Sequence, residues 1–226
     1  MVSRCIDKEL KRSGEGHVWL DCRHLNLNEF KEEFPTINEK LSNLGLNLQK
    51  DMIPVVPAAH YLCGGIAVDK DGRTSMENLY AVGEVSCTGL HGGNRLASNS
   101  LLEALVFSHR ACIHSIHSTK NTELPEIPLW NDEGVVKPKE GILITHNRKE
   151  LQELVSDYVG IVQSEYRLKG ALKRLAIMYE ETEALYKRVL LSPEILELRN
   201  MISSAYLIVQ LSLARKVNQG GFYKEE

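Results

Sequence analysis

Apolar and polar positions change their spacing twice along the chain. Cys5, Ile6, Glu9 and Leu10 follow a helical repeat, and Gly14-Glu15-Gly16 predicts where that helix stops. His17 to Cys22 alternates and predicts a short strand. Asn28 to Leu44 predicts a helix ended by Gly45, with Pro35 admitted only as a kink or a break. From residue 51 the runs shorten. Ile53-Pro54-Val55-Val56-Pro57 is held extended by its prolines, and Gly65 to Val68 predicts a strand followed by a hairpin turn at Asp69-Lys70-Asp71-Gly72. Leu79 to Gly83 predicts a buried strand. A glycine-rich stretch then runs to Ser100 and opens a helix that continues to about His117.

The second change comes after a connector at 119–146, which carries Pro125, Pro128, Pro138, Trp130 and Gly134. Beyond it the pattern is helical, with segments predicted at 147–159, 162–190 and 193–217. Ser192 followed by Pro193 is an N-cap with proline at the first helical position. Ile195, Leu198, Ile202, Ala205 and Val209 step by three and four, the seam of a bundle. The fold class expected is α+β: 1–50, 51–118, the connector 119–146, and a three-helix bundle at 147–226.

Composition narrows the function classes. The chain has 226 residues, 43% hydrophobic and 25% charged, as folded proteins do. A net charge of −3 and an isoelectric point near 6.3 argue against a nucleic-acid binder. No apolar run reaches the roughly 18 residues of a membrane helix, and no signal peptide is expected at the start. Five cysteines form no CxxC pair, and an odd number cannot all pair within one chain, so a reduced, cytoplasmic setting is expected.

The chemistry concentrates between His60 and Glu103. Ser100-Leu101-Leu102-Glu103 has the form of a capping box, placing a helix start at about Leu101. Unpaired backbone N–H groups and the helix dipole at such a start favour an anionic or electron-rich ligand atom. Glu84, following the predicted strand that ends at Gly83, suits the two hydroxyls of a ribose. Arg95 lies among Gly92, Gly93, Asn94 and Ala97, and its planar fork matches a carboxylate. His60, just ahead of Gly64-Gly65, can donate to a second carboxylate oxygen. His109, His114 and His117 lack a completing ligand set for a metal. His60 with Cys63 does not form a nucleophile elbow, and neither a G-x-G-x-x-G nor a Walker loop is present.

The linked motifs H-Y-L-C-G-G-I and L-Y-A-V-G-E-V-S-C-T-G-L-H-G-G-N-R-L-A-S-N-S-L-L-E resemble the succinate dehydrogenase and fumarate reductase flavoprotein family, and most closely its L-aspartate-oxidising branch. H-N-R-K-E-L and D-Y-V-G-I-V-Q-S downstream are similar as well. The resemblance implies an FAD enzyme that takes L-aspartate to iminoaspartate by hydride transfer to flavin, at the start of NAD biosynthesis by way of quinolinate, with fumarate or oxygen as electron acceptor. It implies that Glu84, Ser100 and Leu101 hold the cofactor and that His60 and Arg95 bind the substrate carboxylates. It also implies the end of a capping domain at 1–50 and the C-terminal part of the FAD-binding domain at 51–118. The family's G-x-G-x-x-G unit and its catalytic arginine, in a P-R-D sequence ahead of V-x-R, have no counterpart; Arg4 matches the arginine of V-x-R. The expectation is a C-terminal portion, inactive alone, that associates with the N-terminal part or with quinolinate synthase. Two alternatives remain: a portion of a fumarate reductase or succinate dehydrogenase flavoprotein, and a non-catalytic helical assembly module.

Overall fold

The computed structural model describes residues 2–118, 126–129, 131, 133–136 and 141–225, and the chain divides into two units at Ala59/His60. Much of the predicted connector, including Pro125, Trp130 and Pro138, lies outside the described residues.

In the first unit, helix α1 (Val2–Ser13) stops at Gly14, whose φ of +74° a side chain would disfavour. Strand β1 (Val18–Leu20) pairs antiparallel with β2 (Ile53–Val55), Trp19 opposite Pro54. The long helix expected from Asn28 resolves into two, α2 (Leu27–Glu33) and α3 (Pro35–Asn43). Pro35 decides this: it has no N–H to continue α2, but its fixed φ suits the first turn of α3. Asn26 caps α2 by accepting from the Asn28 amide at 3.0 Å.

In the second unit, β3 (Ile66–Ala67) pairs parallel with β4 (Ser86–Cys87). The turn between Asp69 and Arg73 forms as expected, closed by Gly72 N–H to Asp69 O at 3.0 Å. The strand expected at Leu79–Gly83 does not form. Tyr80 makes a single bridge to Arg73, and Gly83, at φ +77°, turns the chain into a 3-10 turn (Gly83–Val85) ahead of β4. Glu84 therefore sits on that turn rather than at a strand's end.

Helix α4 (Asn99–Ser118) inverts the usual pattern. Its buried residues are Glu103 and Ala111, while Leu101, Leu102, Leu105 and Ile116 are exposed. The capping box is not made either. The helix begins at Asn99, so Ser100 lies within its first turn, and Glu103 turns inward instead of reaching back.

Helices α5 (Ile142–Val159), α6 (Glu165–Tyr186) and α7 (Pro193–Ala214) share one apolar core. Leu168, Leu175, Ile195, Leu198 and Val209 are fully buried in it, and Leu151 and Leu154 join them from α5. Each such side chain contributes about 2 kcal/mol through burial. Ser164 caps α6, accepting from the Arg167 amide. The α7 seam falls at the predicted positions, but the helix ends at Ala214, short of 217. There the Lys224 ammonium donates to the carbonyls of Ser212, Leu213 and Arg215 at 2.9, 3.1 and 2.7 Å, satisfying acceptors that a helix end leaves open. Lys224 belongs to β6 (Lys224–Glu225), which pairs parallel with β5 (Gln163–Ser164).

Candidate functional site

The glycine-rich stretch 88–98 folds as irregular loop between β4 and α4 because its sequence supplies turn residues and little else. Gly89 and Gly92 have φ of +85° and +55°, and Ser98 holds φ +75° immediately before the helix. A non-glycine residue in that region costs about 1 kcal/mol or more and persists only where its surroundings fix it.

What fixes the loop is a buried carboxylate. Glu103 accepts from His91 Nε2 at 2.7 Å, from the Thr88 hydroxyl, and from the Tyr61 hydroxyl at 3.4 Å. The side chains of His91 and Glu103 are 5% and 1% exposed, so the pair is withdrawn from water and held by its own hydrogen bonds. A carboxylate only accepts, so His91 donates to it through Nε2, and the buried Nδ1 has no partner among the described residues. Burial, with the charges of Glu103 and Glu84 behind it, raises the Tyr61 pKa and keeps that hydroxyl protonated. The His91 ring meets Tyr61 edge-on, with ring centres 5.1 Å apart.

Arg95 stands on the same tyrosine. Its guanidinium carbon lies 4.7 Å from the Tyr61 ring centre, and Nη1 donates to Ser100 Oγ at 2.9 Å. Its Nε is buried and has no hydrogen-bond partner among the described residues. Glu84 Oε1 accepts the Leu62 amide at 2.9 Å, so the segment 60–62 is held from two sides, by Glu84 at Leu62 and by Arg95 and Glu103 at Tyr61. Arg95, Ser100 and Glu84 thus converge on one segment. His60, at its start, is exposed and makes no hydrogen bond among the described residues; it is the chain neighbour of Tyr61, on which Arg95 stands. Leu101 is exposed at the first turn of α4.

Tyr61, Thr88, His91 and Glu103 were missed by sequence reasoning. The capping-box reading assigned Glu103 to the helix end, and Leu101, Leu102 and Leu105, which share one side of the helix, pointed to a buried face that the folded chain leaves exposed. Chemically, the arrangement combines a fixed guanidinium with the N-terminal dipole of α4, two positive sources side by side, which suits an anionic ligand.

Comparison with known proteins bears on which ligand. Residues 1–101 match the family model described as FAD binding domain, and residues 148–226 match the fumarate reductase flavoprotein C-terminal model. The chain belongs to the succinate dehydrogenase and fumarate reductase flavoprotein family. Within this family it is 44% identical to an L-aspartate oxidase of Yersinia pestis over 99% of its own length, and it spans 42% of that relative. Among solved structures, a quinol-fumarate reductase with menaquinol molecules is similar at a TM-score of 0.81 and 26% identity, covering 100% of this chain and 43% of the other. Mycobacterium smegmatis Sdh1 in complex with UQ1 is similar at 0.79 and 29%, covering 99% and 40%. The cofactor of the matched domain is FAD, and His60, Glu84, Arg95, Ser100 and Leu101 all fall within 1–101.

The site's geometry is compatible with that group. The first turn of α4 carries an exposed Leu101, and Glu84 uses only Oε1 toward Leu62, leaving Oε2 as an acceptor.

Proposed function

We propose that this chain forms the substrate corner and part of the flavin site of an FAD-dependent L-aspartate oxidase. The observation that carries this is Arg95: held over Tyr61, bonded to Ser100 at a helix start, with a buried Nε–H that meets no acceptor among the described residues. A buried donor without a partner costs about 1–3 kcal/mol, and a bound carboxylate would relieve it. Identity to L-aspartate oxidases over nearly the whole chain supports the amino-acid substrate.

In this reading Arg95 grips one carboxylate of L-aspartate and His60 donates to the other. Glu84 holds the ribose hydroxyls of FAD through its remaining oxygen, and Ser100 and Leu101, at the start of α4, present backbone N–H groups to the flavin edge. FAD, when bound, supplies the two-electron acceptor for hydride leaving the substrate's Cα. The product is iminoaspartate, the entry to NAD biosynthesis, and fumarate or oxygen takes the electrons afterwards. Residues 1–50 are assigned to the end of a capping domain, 51–118 to the FAD-binding domain, 119–146 to a connector, and 147–226 to a C-terminal three-helix bundle. The five unpaired cysteines support a reduced, cytoplasmic compartment.

The test is turnover by the full-length flavoprotein loaded with FAD. L-aspartate-dependent peroxide formation is expected, with loss of about a hundredfold or more in kcat/KM for Arg95→Ala and a smaller loss for His60→Ala. Turnover of succinate in place of L-aspartate would overturn the substrate assignment in favour of a succinate dehydrogenase or fumarate reductase. Unchanged turnover in both variants would leave only an assembly role.

A further inference from the structure

The C-terminal hairpin reaches the loop that carries Arg95. Gln219 and Phe222 close a turn, Phe222 N–H donating to Gln219 O at 3.2 Å, and its tip presses on Gly93. The Gly221 amide donates to Gly93 O at 2.9 Å, two residues before Arg95. The fit admits no side chain at the tip: a Cβ on Gly220 would stand 2.1 Å from Gly93 O, and Gly220 has φ +61°.

The other side of the hairpin is anchored to the helical core. Asn218 Nδ2 donates to Lys224 O at 3.0 Å, and the Lys224 amide donates back to Asn218 Oδ1 at 2.8 Å. The Lys224 ammonium is fastened to three carbonyls at the end of α7. The Gln163 amide donates to Tyr223 O at 3.0 Å, and Arg215 lies over the Phe222 ring at 5.0 Å. The hairpin is therefore a short rigid piece between the fully buried helical core and a loop of turn residues.

The Arg95 loop is held at its start by His91 on Glu103 and at its end by α4. Between these, Leu96, Ala97 and Ser98 are exposed, and Gly93 O is tied to the hairpin. We infer that Gly220, Gly221 and Lys224 are positioning residues for substrate binding: the C-terminal hairpin sets the height of the Gly93 peptide and hence where the Arg95 guanidinium meets a carboxylate. This rests on the reading of Arg95 as the carboxylate ligand. A displacement of about 1 Å at a binding group can cost up to about a hundredfold, so a contact this tight has leverage.

The experiment uses the full-length FAD-loaded protein, with malonate binding followed by flavin absorption and L-aspartate turnover measured separately. Gly220→Ala is expected to weaken malonate binding and raise KM about tenfold, with kcat within about twofold and FAD content unchanged. Values of KM and malonate affinity within about twofold of wild type overturn the inference, as does a fall of apparent kcat and FAD content with KM unchanged, which is the mark of general unfolding. If Gly220→Ala does not fold, Lys224→Gln carries the test, with an expected weakening of about threefold and the same reversal. Arg95→Ala serves as reference. If it binds malonate as tightly as wild type, the substrate reading itself fails, and a weakened Arg95→Ala beside an unchanged Gly220→Ala removes the hairpin's role alone.

Discussion

The helical core of α5–α7 and the glycine-rich corner at the start of α4 belong to one unit but are held by opposite means. The core buries leucine, isoleucine and valine and is closed by shape. The corner buries a glutamate, with a histidine, a tyrosine and a threonine bonded to it, and leaves its leucines outside. An apolar core tolerates small rearrangements because dispersion contacts are many and individually weak. A buried carboxylate tolerates few, since each donor removed leaves charge unmatched. The corner is thus the more exacting of the two, and it is the one that carries Arg95.

The largest expected effect follows from that contrast. Glu103→Ala should destabilise the protein by about 4 kcal/mol, because His91, Tyr61 and Thr88 all lose their acceptor in a buried place. Urea denaturation of the full-length protein measures it, and a loss under about 1 kcal/mol would show that the corner is held by something else. In the core, Leu198→Ala should cost about 3 kcal/mol by the cavity it leaves, while substrate affinity per folded molecule stays at the wild-type value. If that affinity falls, the separation drawn between the two regions is too sharp.

Smaller effects sharpen the same division. Arg95→Lys keeps the charge but loses the planar fork and its stacking on Tyr61, so dicarboxylate affinity should fall about tenfold with stability nearly unchanged. The smallest effect concerns acid. Glu165 and Glu194, at the starts of α6 and α7, are held below their ordinary pKa, the first chiefly by its hydrogen bond with Lys169 and the second by that with Ser192. A lowered native pKa adds stability above the unfolded value of about 4.3, and this is lost as pH falls through the native value. The urea midpoint of wild type should therefore drop between pH 5 and pH 3 slightly more than that of Glu165→Gln. Identical drops would mean that the exposed pair contributes nothing.

Legibility in the sequence followed the same line. The seam Ile195, Leu198, Ile202, Ala205, Val209 could be read because a helix packing one apolar face repeats its pattern every three and four residues. Pro35 likewise announced a kink or a break, and the break is what formed. Arg95, Ser100 and Glu84 could be picked out as candidates because arginine and carboxylate among glycines are out of place in an apolar core. The strand at Leu79–Gly83 was misread because an apolar run gives no sign that Gly83 takes a positive φ, and Glu84 moved with it onto a turn. Glu103 was misread because S-x-x-E describes a local pairing. Its actual partners, Tyr61, Thr88 and His91, come from other segments that only the folded chain assembles. The hairpin's seat on Gly93 was invisible for the same reason.

Whether Arg95 on its tyrosine platform receives a substrate carboxylate is decided by a crystal structure of the full-length FAD-loaded protein soaked with a dicarboxylate. A carboxylate oxygen is expected about 3 Å from the Arg95 guanidinium, with the Nε–H now partnered and the His60 ring on the other carboxylate. A dicarboxylate bound elsewhere, with Arg95 still turned to Ser100 and its Nε–H still unmet, would contradict it.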